Sequence, residues 1–179
     1  MMIIKPDADR IILQPVQVAF LEMHTRPAEA IDKREGVFFE LIPNPVDLET
    51  YREYYYGVGE KYYWLDRMVM DDEELFQKIN AVNVHIYVMH TNNEAAGYAE
   101  FLLEKDYTEI VYFGLLPSFI GKGLGKYFLQ WVIQKAWSYQ PLWIQLNTCV
   151  LDHPNALPSY KNAGFKEVKS EIQQRRILK

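Results

Sequence analysis

A glycine-rich segment is the clearest candidate for chemistry in this sequence. Residues 120–126 read IGKGLGK and lie between a strand-like run and an amphipathic helical pattern. Backbone amides at the start of a helix have no partner within the helix, so they bind phosphate, and glycines let an anion approach the backbone closely. The two lysines and the helix dipole add positive potential. This segment, called the glycine loop below, therefore predicts a phosphate-binding site.

Two other phosphate-binding motifs do not fit the glycine loop. A P-loop requires GxxxxGK followed by Ser or Thr, whereas Lys126 is followed by Tyr127 and Ile120 occupies the earlier glycine position. A dinucleotide fingerprint requires GxGxxG within a parallel unit, whereas the loop has GxGxG after strands joined by short turns. A flexible turn ahead of a helix is the remaining alternative to a phosphate site.

Two motifs, in order along the chain, resemble the GNAT superfamily of acyl-coenzyme-A-dependent N-acyltransferases. The glycine loop is similar to the family's (Arg/Gln)-x-x-Gly-x-(Gly/Ala) sequence, with Gly123 and Gly125 at the two small positions. Ile120 stands where the family usually has Arg or Gln, which removes one side chain but no backbone amide. The family's Ala-x-x-x-Tyr-x-x-x-Gly-Phe motif is formed here by Ala156, Tyr160, Gly164 and Phe165. The resemblance extends from Val84 onward.

The resemblance implies that acetyl-coenzyme A binds as the acyl donor. Its pyrophosphate would contact the amides of the glycine loop, and a backbone amide near Leu115 or Leu116 would contact the thioester carbonyl. Pairing of that strand is expected to break at Gly114, which would free backbone groups for the pantetheine arm. His153 stands where the family commonly has Asn, as either a turn residue or a neighbour of the coenzyme. The implied coenzyme-binding residues are Leu115, Leu116, Gly121, Lys122, Gly123, Leu124, Gly125, Lys126, His153 and Asn155.

Acylation of an amine by direct attack needs a group that takes a proton from the amine and a group that gives one to the departing thiolate. Tyr160 matches the family tyrosine that protonates the sulfur, and its alternative role is that of a packed helix tyrosine. Glu109 matches the general base of some members, and Glu100 on the neighbouring strand is the alternative base. A glutamate at the end of a strand can also be merely solvated.

The elements that must position these residues indicate a mixed α+β fold. Apolar runs at residues 84–90, 96–103 and 109–116 are joined by short polar links, which favours antiparallel hairpins. A helix with one buried stripe follows the glycine loop, and a strand at 142–150 leads to a short helix ended by Gly164. Further strands are expected at 17–22 and 38–41, helices from Asp47 and Asp71, and a final hairpin from 165–169 and 172–177. The expected fold is a GNAT-like twisted mixed sheet flanked by helices.

The amino-acid composition limits the functional classes to which the protein can belong. The 179 residues, 49% hydrophobic and 24% charged, predict one folded domain over residues 1–179. A net charge of -5 disfavours a generic nucleic-acid binder. No secretory signal, long apolar run or metal-ligand spacing of histidines is present, so we expect a cytoplasmic chain with no membrane partner and no metal. Cys149 cannot form an internal disulfide and is expected to be a buried thiol.

We therefore predict an N-acetyltransferase that acts on a primary amine of a small molecule or peptide. The alternative is a non-catalytic acyl-coenzyme A sensor or interaction domain, and an unrelated α+β binding protein would lack coenzyme affinity altogether. Residues 54–64, called the aromatic segment below, form either ordinary packing or the wall of a substrate cleft. The acceptor, the acyl length and the choice between monomer and homodimer stay open.

Overall fold

The computed structural model describes residues 6–28 and 31–179. Within these residues there are seven strands and five α-helices, and the structure is of the mixed α+β class that the sequence predicts. In chain order the elements are β1 (Ile11–Met23), β2 (Val37–Leu41), α1 (Leu48–Gly59), α2 (Asp66–Val69), α3 (Asp72–Ile79), β3 (Val84–Thr91), β4 (Glu94–Leu103), β5 (Tyr107–Leu115), α4 (Leu124–Ser138), β6 (Trp143–Cys149), α5 (Ala156–Asn162) and β7 (Lys166–Leu178).

The strands form a single sheet in the order β2-β3-β4-β5-β6-β1-β7. Strands β2 to β5 are antiparallel neighbours, which confirms the predicted hairpins β3–β4 and β4–β5. Strands β5 and β6 run parallel, as expected for two strands connected through a helix, here α4. The functional site is built around this parallel pair.

The expected hairpin at the end of the chain is wrong. Residues 166–178 form one continuous strand, β7, which pairs antiparallel with β1 from Ile11 opposite Leu178 to Glu22 opposite Lys166. The reason is that β1 is long and lies between β6 and β7, so it supplies a partner along the whole of β7. The region between the two expected strands contains neither glycine nor proline, and nothing there forces a turn.

Two apolar clusters cover the two faces of the sheet. On one face lies the stripe that the sequence predicted for α4, whose buried residues are Leu129, Val132, Ile133 and Ala136. The other face is covered by α1 and α3, where Tyr51, Tyr55 and Leu75 are almost completely buried. Burial of a large side chain contributes roughly 1.5–3 kcal/mol. These clusters therefore fix the helices against the strands that carry the site.

Local signals place the helix ends where the sequence predicts them. The Asp47 side chain accepts a hydrogen bond from the Thr50 amide at 2.9 Å, and the Asp71 side chain accepts one from the Glu73 amide at 2.9 Å. Gly164 follows α5 with a φ of 106°, a conformation that favours glycine. Across the described ranges, no helix combines the length and apolar character needed to cross a membrane.

Candidate active site

The parallel strands β5 and β6 separate after only three residue pairs. The pairs are Tyr107 with Trp143, Thr108 with Ile144 and Glu109 with Gln145, and beyond them the two strands diverge. The expected break at Gly114 is therefore misplaced, because on the β4 side Gly114 still pairs with Tyr98. The irregularity in β5 lies earlier, where the register shifts between Tyr112 and Ile110 and leaves Val111 as an extra residue. Such a bulge increases local twist, which fits the divergence from β6.

Gly114 serves a different purpose from the one expected. A Cβ atom at this position would lie 2.4 Å from the Val58 Cγ1 atom. The absence of a side chain therefore lets helix α1 approach β5 closely. This approach brings the aromatic segment to the edge of the space between the diverging strands.

A cavity of about 770 Å³ occupies the space between β5 and β6. Five parts of the chain line it: the second half of β5, the glycine loop with the start of α4, the region from β6 to α5, the aromatic segment with Asp66, and Arg175 and Arg176 of β7. Of the residues predicted from sequence, the cavity brings together Leu115, Gly121, Gly125, Lys126, His153, Asn155 and Tyr160. The other predicted residues do not line it: Glu100, Glu109, Leu116, Lys122, Gly123 and Leu124.

The glycine loop has the backbone conformation that an anion site needs. Helix α4 begins at Leu124, directly after Gly123, and the φ angles of Gly121 and Gly123 are 81° and 72°. Apart from each glycine and its two chain neighbours, no atom lies within 4 Å of the position that a Cβ would take there. Lys126 is exposed and lines the cavity. The Lys122 ammonium instead lies 4.9 Å from the centre of the Phe119 ring. The loop can therefore cradle a phosphate with its amides.

The two leucines at the end of β5 have different backbone environments. The Leu116 amide donates to the Ala96 carbonyl at 2.8 Å, so it points toward β4. Successive amides along a strand point to opposite edges, and the Leu115 amide therefore points toward the side from which β6 has diverged. Leu115 also lines the cavity. Of the two candidates, Leu115 is the one whose amide faces the cavity.

Tyr160 lies on α5, half-buried, with its ring edge-on to that of Phe165 at 6.2 Å. Burial is the main cause that raises the pKa of its hydroxyl, and the nearby Asp152 carboxylate raises it further. The hydroxyl therefore stays protonated at neutral pH. A neutral phenol at the cavity can donate a proton.

Glu100 lies outside the cavity in a buried polar cluster. It is 1% exposed, accepts a hydrogen bond from the Tyr51 hydroxyl at 2.6 Å, and forms an ion pair with Arg67 at 2.9 Å. Burial raises the pKa of Glu100, whereas the Arg67 charge and the two hydrogen bonds lower it. Both carboxylate oxygens are engaged within the protein, and this arrangement ties α1 and α2 to the sheet.

Glu109 occupies the point at which β5 and β6 part. It belongs to the last parallel pair, is half-buried, and accepts a hydrogen bond from the Gln145 side chain at 3.4 Å. Burial is the main cause that raises the pKa of Glu109, and the Gln145 hydrogen bond opposes it. The next residue, Ile110, lines the cavity. Glu109 thus lies beside the apex of the cavity without lining it.

Sequence reasoning missed Asp152. Its carboxylate accepts from the Thr148 hydroxyl at 2.7 Å, the Cys149 amide at 2.9 Å and the Trp64 indole at 3.1 Å. The Tyr62 ring also contacts His153 edge-on at 6.2 Å. These contacts join the aromatic segment to the turn after β6 and close one side of the cavity. The density of aromatic residues is visible in the sequence, but it does not show which residues the aromatic side chains contact.

The structure refines the predictions for Cys149 and His153, which lie near that turn. Cys149 was expected to be a buried thiol, but it is only half-buried and lines the cavity. Alternate residues of β6 point to opposite faces, and Cys149 points toward the open side. Burial is the main cause that raises the pKa of its thiol, which therefore stays protonated. His153 is exposed and accepts from the Asn155 amide at 3.1 Å, so it is a turn residue that also borders the cavity.

Aromatic side chains and two arginines line another part of the cavity wall. Tyr55 packs edge-on against Tyr112, with 4.9 Å between ring centres, so the aromatic segment is both packing and cavity wall. Asp66 forms ion pairs with Arg176 and, at 3.9 Å, with Arg175. Two guanidinium groups therefore share one carboxylate there. In residues 6–28 and 31–179 no group of three or more His, Cys, Asp or Glu side chains could hold a metal ion.

Solved structures of low sequence identity share this fold. A GCN5-related N-acetyltransferase from Sphaerobacter thermophilus is 14% identical with a TM-score of 0.63, covering 93% of this chain and 53% of that one. A functionally unknown conserved protein from Staphylococcus epidermidis is 17% identical with a TM-score of 0.60, covering 93% and 62%. An aminoglycoside acetyltransferase from an uncultured soil metagenomic sample is 16% identical with a TM-score of 0.57, covering 72% and 88%.

The chain thus spans about half to three-fifths of the length of the Sphaerobacter and Staphylococcus proteins. No curated protein matches the chain. A sequence model of the acetyltransferase (GNAT) domain matches residues 58–178, which is more than half of the 179 residues and includes the glycine loop, Tyr160 and most of the aromatic segment. Since this match agrees with the mixed sheet and with the cavity between its parted strands, the chain belongs to the GNAT acetyltransferase family.

Proposed function

We propose that this chain transfers an acetyl group from acetyl-coenzyme A to a primary amine by direct attack of the amine on the thioester. The observation that carries the proposal is a single cavity that runs from the glycine loop to Tyr160. Acyl transfer from a phosphate-bearing thioester requires an anion site and a proton donor at the same cavity. The acceptor is a small molecule or a peptide.

Backbone amides would make most of the contacts that bind acetyl-coenzyme A. The amides at residues 121–126 would hold the pyrophosphate, and Lys126 adds a positive charge at the cavity. The amide of Leu115 would donate to the carbonyl oxygen of the thioester and stabilise negative charge as the amine attacks. The bound coenzyme supplies the activated acyl group, and the protein supplies position and proton transfer.

Proton transfer is assigned to Glu109 and Tyr160. Because Glu109 does not line the cavity, it would accept the proton of the attacking amine through water at the apex, and its raised pKa suits a base. The new C–N bond forms as the C–S bond breaks, and the Tyr160 hydroxyl gives its proton to the departing sulfur. Glu100 is the alternative base, although Tyr51 and Arg67 already occupy its oxygens.

One observation favours the alternative function, an acyl-coenzyme A sensor without turnover. Neither glutamate lines the cavity, so no carboxylate of the predicted set can contact an amine directly. The two functions differ in what happens to the thioester. A sensor binds it and leaves it intact, whereas an acyltransferase releases free thiol when an acceptor is present.

The test combines calorimetry with acetyl-coenzyme A and a thiol-release assay over a panel of primary amines. The proposal expects binding, thiol release that depends on the amine, and a product whose mass is increased by one acetyl group. Binding without amine-dependent release would instead support the sensor. The lack of any binding would contradict both functions. Propionyl- and succinyl-coenzyme A in the same assay would define the acyl length.

A further inference from the structure

The glycine loop lacks the side-chain donor that stands at the first position of its family motif. Ile120 stands at the position of the usual Arg or Gln, and its side chain can donate no hydrogen bond. The Lys122 ammonium lies over the Phe119 ring at 4.9 Å from its centre. A coenzyme carries three phosphate groups, and of the two lysines in the loop only Lys126 lines the cavity, so a further cation near the loop would help to balance the phosphate charge.

A cation from a distant part of the chain reaches this loop. The Arg34 side chain donates from Nη1 to the carbonyl oxygen of Gly123 at 3.1 Å, although the two residues are 89 positions apart. Gly123 is the residue directly before α4, so this hydrogen bond places a guanidinium beside the first turn of the helix. A guanidinium has five donors, and the bond to Gly123 uses one of them.

The position of Arg34 is determined by the surrounding fold. The Val37 amide donates to the Arg34 carbonyl at 3.1 Å, which closes a turn ahead of β2. In this turn Gly36 has a φ of 71°, and its carbonyl accepts from the Asn92 amide of the β3–β4 link at 2.9 Å. Phe39 of β2 also stacks on Trp131 of α4, with ring centres 3.9 Å apart. The turn and the helix are therefore held together, and Arg34 is preorganised at the loop.

We propose that Arg34 is a binding residue for the phosphates of the coenzyme, which supplies from the β1–β2 connection the cation that Ile120 lacks. The proposal rests on the proposed function, because it requires the pyrophosphate to lie on the glycine loop. A guanidinium binds phosphate oxygens through its planar set of donors, and it also attracts them through space. Since Arg34 is exposed, the through-space part of the attraction weakens with salt.

The test measures the dissociation constant of coenzyme A by calorimetry for the wild type and for Arg34→Ala and Arg34→Lys. We expect Arg34→Ala to raise Kd by about 10-fold or more at low salt, the effect of losing a hydrogen bond to a charged group. Arg34→Lys keeps the charge but loses the planar fork, so its Kd should lie between the other two. Raising the salt should shrink the difference between wild type and Arg34→Ala.

Arg26→Ala is the matched control. Arg26 lies in the same connection and donates to the Gln134 side chain of α4 at 3.2 Å from both Nε and Nη2. Gln134 is ten residues beyond Leu124, or about 15 Å along the helix, which exceeds a Debye length of about 8–10 Å. Arg26→Ala should therefore leave Kd unchanged, and a melting temperature for each variant checks folding.

Repeating the titrations with dephospho-coenzyme A identifies the phosphate concerned. An equal loss with both ligands assigns Arg34 to the pyrophosphate, and a loss seen only with coenzyme A assigns it to the 3′-phosphate. Equal affinities of wild type and both Arg34 variants would overturn the inference and leave the proposed function intact. Failure of the wild type to bind coenzyme A would overturn the proposed function, and this inference with it.

Discussion

Two regions of the cavity wall differ in kind. The glycine loop, called the loop end below, offers backbone amides of one short segment, whereas the wall around the aromatic segment, called the aromatic end, offers side chains that come from distant parts of the chain. The glycine loop depends on the positive φ angles of Gly121 and Gly123 and on the start of α4. The aromatic end depends on packing between residues such as Tyr55 and Tyr112 and on the hydrogen bond between Trp64 and Asp152.

Because of this difference, a single substitution should affect ligand binding differently at the loop end and at the aromatic end. Backbone amides point away from an anion when the local conformation changes. One substitution at a glycine can therefore weaken anion binding at the loop while the rest of the fold persists. A wall of packed aromatic rings loses only part of its packing with each substitution, because each ring contacts several neighbours. Changes at the loop should therefore affect coenzyme affinity, changes at the aromatic end should affect the acceptor, and changes at the proposed proton-transfer residues should affect the chemical step.

The largest effect is expected from Tyr160→Phe, on α5, which belongs to neither region. The change deletes the hydroxyl and keeps the ring that packs on Phe165. We expect kcat to fall about 100-fold while coenzyme affinity and acceptor KM change little, as for an interaction made chiefly in the transition state. Because the pKa of Tyr160 is raised, wild-type kcat should not decline as the pH approaches the ordinary tyrosine value of about 10.

Steady-state kinetics and a melting curve on one preparation of Tyr160→Phe separate its roles. A lower melting temperature with normal kcat would mean that the hydroxyl serves packing alone. Wild-type kcat under conditions where chemistry limits the rate would remove Tyr160 from the mechanism.

The next effect is expected from Gly123→Val, which tests the loop end alone. A β-branched residue at a φ of 72° costs roughly 2 kcal/mol of backbone strain, so the loop should shift and Kd for acetyl-coenzyme A should rise about 30-fold. Gly123→Asn is the matched variant, because asparagine tolerates this conformation better, and it should lose less affinity. Calorimetry measures both, and undiminished affinity in a folded Gly123→Val would contradict an anion site at this loop.

A smaller effect is expected from Glu109→Gln at the apex of the cavity. We expect kcat to fall about 10-fold, with coenzyme affinity unchanged, because the proton passes through water. Since burial raises the pKa of Glu109, wild-type activity should fall with decreasing pH at values above the ordinary glutamate pKa of about 4.3, and the variant should lose this limb. A pH–rate profile of both proteins measures the difference.

Glu100→Gln is the contrasting variant for Glu109. It leaves Arg67 buried without its carboxylate, so it should lower the free energy of unfolding by about 3 kcal/mol, measured by denaturant titration. If Glu100→Gln lowers kcat at full stability while Glu109→Gln does not, the base role moves to Glu100.

The smallest effect is expected from Trp64→Phe at the aromatic end. The change removes the donor of the 3.1 Å hydrogen bond to Asp152 and keeps an aromatic ring in the wall. One hydrogen bond contributes about 0.5–1.5 kcal/mol, so acceptor KM should rise about 3-fold while the Kd of coenzyme A stays the same. A change in coenzyme affinity instead would mean that the two ends of the cavity are not independent.

The sequence by itself determined the features that depend on neighbouring residues. The glycine loop, the helix start at Leu124, the Tyr160 motif on α5 and the hairpins from β3 to β5 all follow from spacing and turn chemistry within a few residues. Such features depend on the backbone conformations that each residue type allows, and these are the same wherever the segment lies in the fold.

Only the tertiary structure decided how distant segments meet. It placed β1 between β6 and β7, which replaced the expected final hairpin by one long strand. It also paired Glu100 with Arg67, 33 positions away, and brought Arg34 to Gly123, 89 positions away. No local spacing encodes these contacts, because they result from the packing of whole helices and strands against one another, where many arrangements of similar local pattern compete and the buried contacts select one.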